Sequence, residues 1–245
     1  MRELALFAGT GGGILGGHLL GWQCVCAVEK DPFARLLLNQ RQIDGHLPPF
    51  PIHEDVTTFD GNQWRGKVDI ISGGFPCQDI SEAGQINGKR EGIDGIRSGL
   101  VREMLRIIGE VRPHYVIAEN SKRLRKRGLA FILSELAGMG YDARWGVIAA
   151  SDAGGNHNRP RMWIVANDPG QRSPLPQEVS ELARRGHRQP DECRPRPVRP
   201  DWWSAEPGLA RMDDGSAHRV DRTRCIGNGQ VPGVVPLAWH HLGPH

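Results

Sequence analysis

The chain has 245 residues, enough to bury a substantial core in one domain with an insertion. It has no apolar run long enough to span a bilayer and no signal-like start ahead of the first strand, so a soluble, cytoplasmic chain with no membrane partner is expected. Five cysteines (24, 26, 77, 193, 225) without framework spacing exclude a disulfide scaffold, and the net charge of +3 is small.

Leu4 to Ala8 reads as a strand that runs into Gly9-Thr10-Gly11-Gly12-Gly13-Ile14-Leu15-Gly16-Gly17 and then a helix through Leu19 and Leu20. Strand, glycine turn and helix start let backbone N–H groups approach a ligand closely. Gly11-x-Gly13-x-x-Gly16 also satisfies a dinucleotide fingerprint, a pattern that so glycine-rich a stretch meets by chance. Gln23 to Val28 is a second strand. Cys24 and Cys26 are expected on one face of it, and with no second cysteine pair nearby neither zinc nor another metal is expected. The strand ends at Glu29, an acid placed to accept from ribose hydroxyls, while Asp31 before Pro32 fits a helix cap. A helix follows through Phe33, Leu36 and Leu37. His53 to Val56 closes a third strand and puts Asp55 on the same edge as Glu29.

The fourth strand, Val68 to Ile71, leads through Gly73-Gly74 into Phe75-Pro76-Cys77-Gln78. A cysteine on such a turn reads as a nucleophile or as a small buried hydrophobe; the polar, glycine-rich sequence that follows favours the nucleophile. Residues 81 to 99 hold five glycines (84, 88, 92, 95, 99) with Lys89, Arg90 and Arg97 between them, the composition of a disordered loop or a functional lid, the basic residues favouring a lid that closes on phosphates. Helical periodicity resumes at Leu100, Met104, Ile107 and Ile108. A fifth strand, Tyr115 to Ala118, ends in Glu119-Asn120, where Glu119 is a proton partner for Cys77 or a helix cap. Lys122, Arg123, Arg125, Lys126 and Arg127 form a basic knot before a helix through Phe131, Leu133 and Leu136. Ala143 to Ala150 is a sixth strand. Arg159-Pro160-Arg161 opens the seventh, Met162 to Ala166, as two arginines on one face that clamp a planar or anionic group or lie at the surface.

After Ala166 the composition turns to Pro, Arg, Gln and Gly. Residues 171 to 200 hold seven arginines against four acids, a difference equal to the whole net charge, which suits a polyanion or a solvated loop. Gly227-Asn228-Gly229-Gln230-Val231-Pro232 then starts a closing helix through Val234, Val235, Leu237, Ala238 and Leu242.

In this order, F-A-G-T-G-G-G, Glu29, Asp55, G-F-P-C-Q, Glu119-Asn120, R-P-R and G-N-G-Q-V-P resemble the cytosine-C5 DNA methyltransferases, in the short form of phages and bacteria. The resemblance implies an α/β, Rossmann-like class I methyltransferase fold with a mostly parallel seven-stranded sheet and helices on both faces. Residues 1–166, completed by 219–245, would be the catalytic and S-adenosylmethionine-binding domain, and 167–218 a short target-recognition region. It implies Cys77 as the nucleophile, Glu119 on cytosine N3, and Arg159 and Arg161 on the O2 edge and nearby backbone. For the cofactor it implies Phe7 on adenine, Glu29 on the ribose, Asp55 on the adenine amino group and Asn228 near the methionine part, with Gly9, Gly11, Val56 and Pro76 alongside. Gln78, Ser81 and Arg97 become DNA contacts to a flipped-out base. The implied partners are double-stranded DNA and a separate restriction endonuclease, with the enzyme a monomer.

The chain departs from the family pattern at Ala5, Ser121, His157 and Gln230, where an acid or serine, valine, glutamine and a small or branched apolar residue are more usual. Three other readings stay open: a nicotinamide-dependent oxidoreductase built on the glycine fingerprint, a non-catalytic DNA-binding module, and an RNA cytosine-C5 methyltransferase.

Overall fold

In the computed structural model, which describes residues 1–76, 99–170 and 229–244, the short apolar runs pair into one sheet. The strands are β1 (Arg2–Leu6), β2 (Gln23–Val28), β3 (Ile52–His53), β4 (Ile70–Gly73), β5 (Tyr115–Ser121), β6 (Asp142–Ile148) and β7 (Arg161–Asn167), in the order β3-β2-β1-β4-β5-β7-β6. All neighbours pair in parallel except β7, which is antiparallel to both β5 and β6. The chain winds outward from β1 to β3 and restarts on the other side at β4, so the strand order reverses between β1 and β4. At such a reversal the connections leave in opposite directions and open a crevice at the carboxyl ends of the strands.

Side chains alternate across the pleat, so each strand feeds two cores. On one face Leu4, Leu6, Ile71, Val116, Ala118, Met162 and Ile164 pack under α3 (Leu100–Val111) and, beyond the short α4 (Leu124–Arg127), α5 (Leu129–Gly138). Helix α3 buries Val101, Met104, Leu105, Ile108 and Val111, the spacing of an amphipathic stripe. On the other face Ile70, Tyr115, Ile117, Trp163 and Val165 meet the closing helix α6 (Val234–Leu242). Ala5, Cys24 and Ala27 meet α1 (Gly12–Leu19) and α2 (Pro32–Ile43) through Ile14 and Leu38. Asp31 caps α2, its carboxylate accepting from the N–H groups of Phe33 and Ala34 with Pro32 at the first helical position, as its sequence implies.

Two local expectations are corrected. Cys24 and Cys26 lie on opposite faces of the sheet, Cys24 with Ala5 and Cys26 with Leu4 and Leu6. Glu3 pairs with Cys24 but the next residue, Leu4, pairs with Cys26, so Val25 is an extra residue that bulges out of the ladder and turns the second cysteine over. In α2 the buried positions are Ala34 and Leu38, four apart, while Leu36 points out, 61% exposed.

Candidate active site

The parallel strands deliver their last residues to one edge: Phe7 after β1, Glu29 after β2, Gly74 to Pro76 after β4, and Glu119 to Ser121 at the end of β5. Because β7 runs the other way, its beginning reaches that edge, and Arg161 is in register with Ser121. Here the sheet lines a cleft of about 600 Å³, bordered by Phe7, Gly9, Glu29, Val56, Pro76, Glu119, Arg159 and Arg161. A volume of this size suits a nucleotide-sized ligand.

At the β1–β2 end the cleft is built for a polar ligand. Phe7 holds a left-handed backbone (φ 53°), unusual for a bulky residue and found where a turn is over-determined by its surroundings. Gly9 is also left-handed, and a Cβ there would meet no atom within 4 Å, so the chain keeps this wall bare. The Glu29 carboxylate accepts from Gly9 N (2.7 Å) and from Asp31 N (2.7 Å), which fixes it against the turn. Each oxygen keeps a second lone pair for an incoming hydroxyl.

At the β5–β7 end the groups are buried. Glu119 is 7% exposed, its Oε1 lies 3.0 Å from Arg161 Nε, and the Gln230 side chain hydrogen-bonds it. Burial pushes its carboxyl up to about 7, against the pull of Arg161, Arg159 and Gln230. It can therefore hold or release a proton near neutrality. Arg159 donates from Nη2 to the Gly229 carbonyl (2.7 Å), tying the start of β7 to the C-terminal segment. Asn120, on the opposite face of β5, donates from Nδ2 to the Phe75 carbonyl (2.9 Å), and its Oδ1 accepts from Ser121 N. This bond pins the turn that runs into Pro76 and position 77.

Of the sequence-derived site residues, Phe7, Gly9, Glu29, Val56, Pro76, Glu119, Arg159 and Arg161 come together around this cleft. Asp55 and Gly11 do not line it. The Asp55 carboxylate accepts from Thr57 N (2.9 Å), Thr57 Oγ1 and Lys30 Nζ (2.9 Å), and these bonds, the Thr57 N–H foremost, hold it down at about 2. Gly11 faces away, toward Leu38 Cδ2 and Leu47. Cys77, Gln78, Ser81, Arg97 and Asn228 lie outside the described residues. Two residues with contacts here were not assigned a task from sequence. Asn120 sits inside a quoted motif, where its pairing with an acid was the signal. Gln230 stands where the family pattern has a small or branched apolar residue, and that departure was the signal.

The glycine fingerprint fares differently from the cleft. Cβ atoms on Gly11, Gly13 and Gly16 would strike Leu38, Gln230 Oε1 (2.2 Å) and Val235 (2.5 Å) respectively. These glycines admit the protein's own chain rather than a pyrophosphate, which removes the basis of the oxidoreductase reading.

Comparison with known proteins agrees with the architecture. The Type II methyltransferase M.PspPI of Psychrobacter sp. (strain TA137) is 38% identical over 140 residues, covering 56% of this chain and 32% of that protein. The Type II methyltransferase M.AquIA of Picosynechococcus sp. is 32% identical over 198 residues, covering 72% of this chain and 75% of that protein. The chain thus spans about a third of the first relative's length and three quarters of the second's. Among solved structures the S. pombe Dnmt2 methyltransferase matches with a TM-score of 0.55 at 19% identity, over 77% of this chain and 56% of that one, a likeness of fold. The family model described as C-5 cytosine-specific DNA methylase matches residues 1–194. With that match over most of its length, the Rossmann-like chain belongs to the C-5 cytosine-specific DNA methylase family.

Proposed function

We propose that the protein transfers a methyl group from S-adenosylmethionine to C5 of a flipped-out cytosine in double-stranded DNA. The observation that carries this reading is Glu119: a buried carboxyl poised near 7, clamped by Arg161, in one cleft with Glu29 and with the turn that leads to Cys77.

Cytosine C5 is a weak nucleophile, and addition of a thiolate to C6 is what makes it reactive. Free cysteine titrates near ~8.5, so Cys77 must be ionised by its site. As its sulfur bonds to C6, electron density moves toward N3, where protonated Glu119 donates a hydrogen bond or the proton itself. Arg161 and Arg159 then hold the carboxylate and the O2 edge. Loss of the C5 proton and expulsion of the Cys77 thiolate restore the aromatic ring. S-adenosylmethionine, when bound, supplies an electrophilic methyl carbon; Phe7, Gly9 and Glu29 fit its nucleoside part, with a bare wall for close approach and a carboxylate for ribose hydroxyls. Asp55 takes two donors from Thr57 on Oδ1 and one from Lys30 on Oδ2, so an adenine amino group would add to Oδ2 beside Lys30.

A duplex partner is supported by charge. Lys122, Arg123, Arg125 and Lys126 are all exposed just beyond the cleft residue Ser121. Among the described residues none of the four forms an ion pair, and Arg125 lies over the Trp145 ring at 5.8 Å. Unpaired cations at the mouth of a base pocket suit phosphates. Extruding the base costs roughly a few kcal/mol, and phosphate contacts with residues 78–99 and 167–218 would offset it. Residues 167–218 serve as the target-recognition region, the enzyme works as a cytoplasmic monomer, and a separate endonuclease reading the same site is the partner of a Type II setting.

The test is a covalent trap. A random-sequence duplex pool containing 5-fluorocytosine, incubated with the protein and S-adenosylmethionine, is expected to give a denaturation-resistant adduct that Cys77→Ser abolishes while duplex binding persists. Tritium transfer to tRNA but not to DNA, or no adduct at all, overturns the reading.

A further inference from the structure

Gln230 is a departure from the family pattern whose side chain reaches into two cavities at once. One is lined by Ala5, Phe7, Gly9, Gly13 and Gly74, the other by Glu119, Arg159, Arg161 and Trp163, and Gln230 belongs to both linings. Its carboxamide is threaded between two glycines. A Cβ on Gly13 would lie 2.2 Å from Gln230 Oε1, and a Cβ on Gly74 would lie 3.0 Å from Gln230 Nε2 and 2.9 Å from Glu119 Oε2. A side chain at position 13 would displace the amide, and one at position 74 would crowd both the amide and Glu119 Oε2. Its backbone is equally close, since a Cβ on Gly12 would meet the Gln230 carbonyl at 2.2 Å.

An ionised carboxylate only accepts, so the bond between the two side chains runs from Gln230 Nε2 to Glu119. Arg161 Nε holds Oε1 at 3.0 Å, which leaves Oε2, the oxygen beside Gly74, for the amide. With a guanidinium paired to one oxygen and the amide at the other, the carboxyl is held from two sides. We infer that Gln230 is a positioning residue for Glu119: its carboxamide, wedged between the glycine turns after β1 and β4, orients the carboxyl and ties it to the methyl-donor pocket. The inference rests on reading Glu119 as the group that faces the base.

Among the described residues the charged groups acting on Glu119 are Arg161 and Arg159, both at the start of β7; from the β4 and C-terminal sides it meets Gly74 and the neutral amide. Removing the amide therefore removes a donor without altering the charge around it. Gln230→Met keeps the length and volume and loses both hydrogen-bonding groups. Gln230→Glu keeps the shape but sets a second carboxyl against the first, which drives the pair toward protonation.

Selective ¹³C labelling of glutamate side chains, with the Glu119 resonance assigned by its loss in Glu119→Gln, reads the titration directly and without turnover. Its midpoint is expected to rise by roughly one pH unit in Gln230→Met and further in Gln230→Glu. The alkaline limb of methyl incorporation should move with it. A midpoint equal to wild type in both variants overturns the inference, however active they are. A shifted midpoint in a protein that methylates no DNA upholds the positioning role and removes the proposed function instead.

Discussion

Replacing Glu3 by glutamine removes a charge that the fold buries without using. Glu3 lies in the middle of the sheet, paired with Cys24 on β2 and Ile70 on β4, and is 0% exposed. Ser72 Oγ donates to its Oε1, and its Oε2 has no hydrogen-bond partner. Desolvation raises its carboxyl from 4.5 to about 7, with the Ser72 hydroxyl and the amino terminus pulling the other way. Between these values the native state binds a proton that the unfolded chain has released. Stability is therefore intact below about 4.5 and falls as pH rises through 7. At ~1.4 kcal/mol per pH unit, the loss across that window comes to roughly 3 kcal/mol. Urea unfolding of wild type and Glu3→Gln at pH 5 and pH 8.5 isolates it, because all other titrating groups are shared. The stability difference between the two proteins should swing by about 3 kcal/mol in favour of the variant as pH rises. Parallel pH dependences would refute the assignment of a buried, proton-binding Glu3.

Other outcomes follow from the cleft. Glu119→Gln should slow methyl transfer by roughly 10²–10³-fold while changing the affinity for S-adenosylmethionine little, measured by single-turnover kinetics and equilibrium binding. Asn120→Ala leaves the Phe75 carbonyl without its donor and should cost about 1–3 kcal/mol in urea unfolding, with a fall in kcat larger than any change in KM. Replacing Lys122, Arg123 and Lys126 by glutamine should flatten the dependence of log K for duplex binding on log salt by roughly two to three, the loss of as many phosphate contacts, with methyl-donor binding unchanged.

Much of the working edge was legible because it is written in residues that end strands. Glu29, Glu119 and the Arg159–Arg161 pair each follow or precede a β-branched run, so their place on one edge follows from the topology once the order of motifs is recognised. What stayed hidden depends on partners far away in the chain. The bulge at Val25 is a property of the β1–β2 pair, and nothing in Cys24-Val25-Cys26 alone announces that the second cysteine turns over. Asp55 carries the right charge at the right edge, yet both its oxygens are already engaged by Thr57 and Lys30, a competition that spacing does not reveal. The glycines of the first turn looked like a ligand cradle throughout, and only packing distinguishes bare Gly9 from Gly13, whose space Gln230 fills.

The reversed direction of β7 sets a rule for grafting. Its last residue, Asn167, pairs with Tyr115 and Asp142 at the end of the sheet remote from the cleft, whereas Gly229 borders the cleft itself. The connecting segment is thus anchored at opposite rims, separated by the height of a seven-residue strand, roughly 20 Å. A transplanted or trimmed segment must contribute at least about six extended residues merely to climb back. Anything shorter would drag Gly229 and Gln230 off their seat and open the rim of the cleft before any other effect of the exchange could be judged.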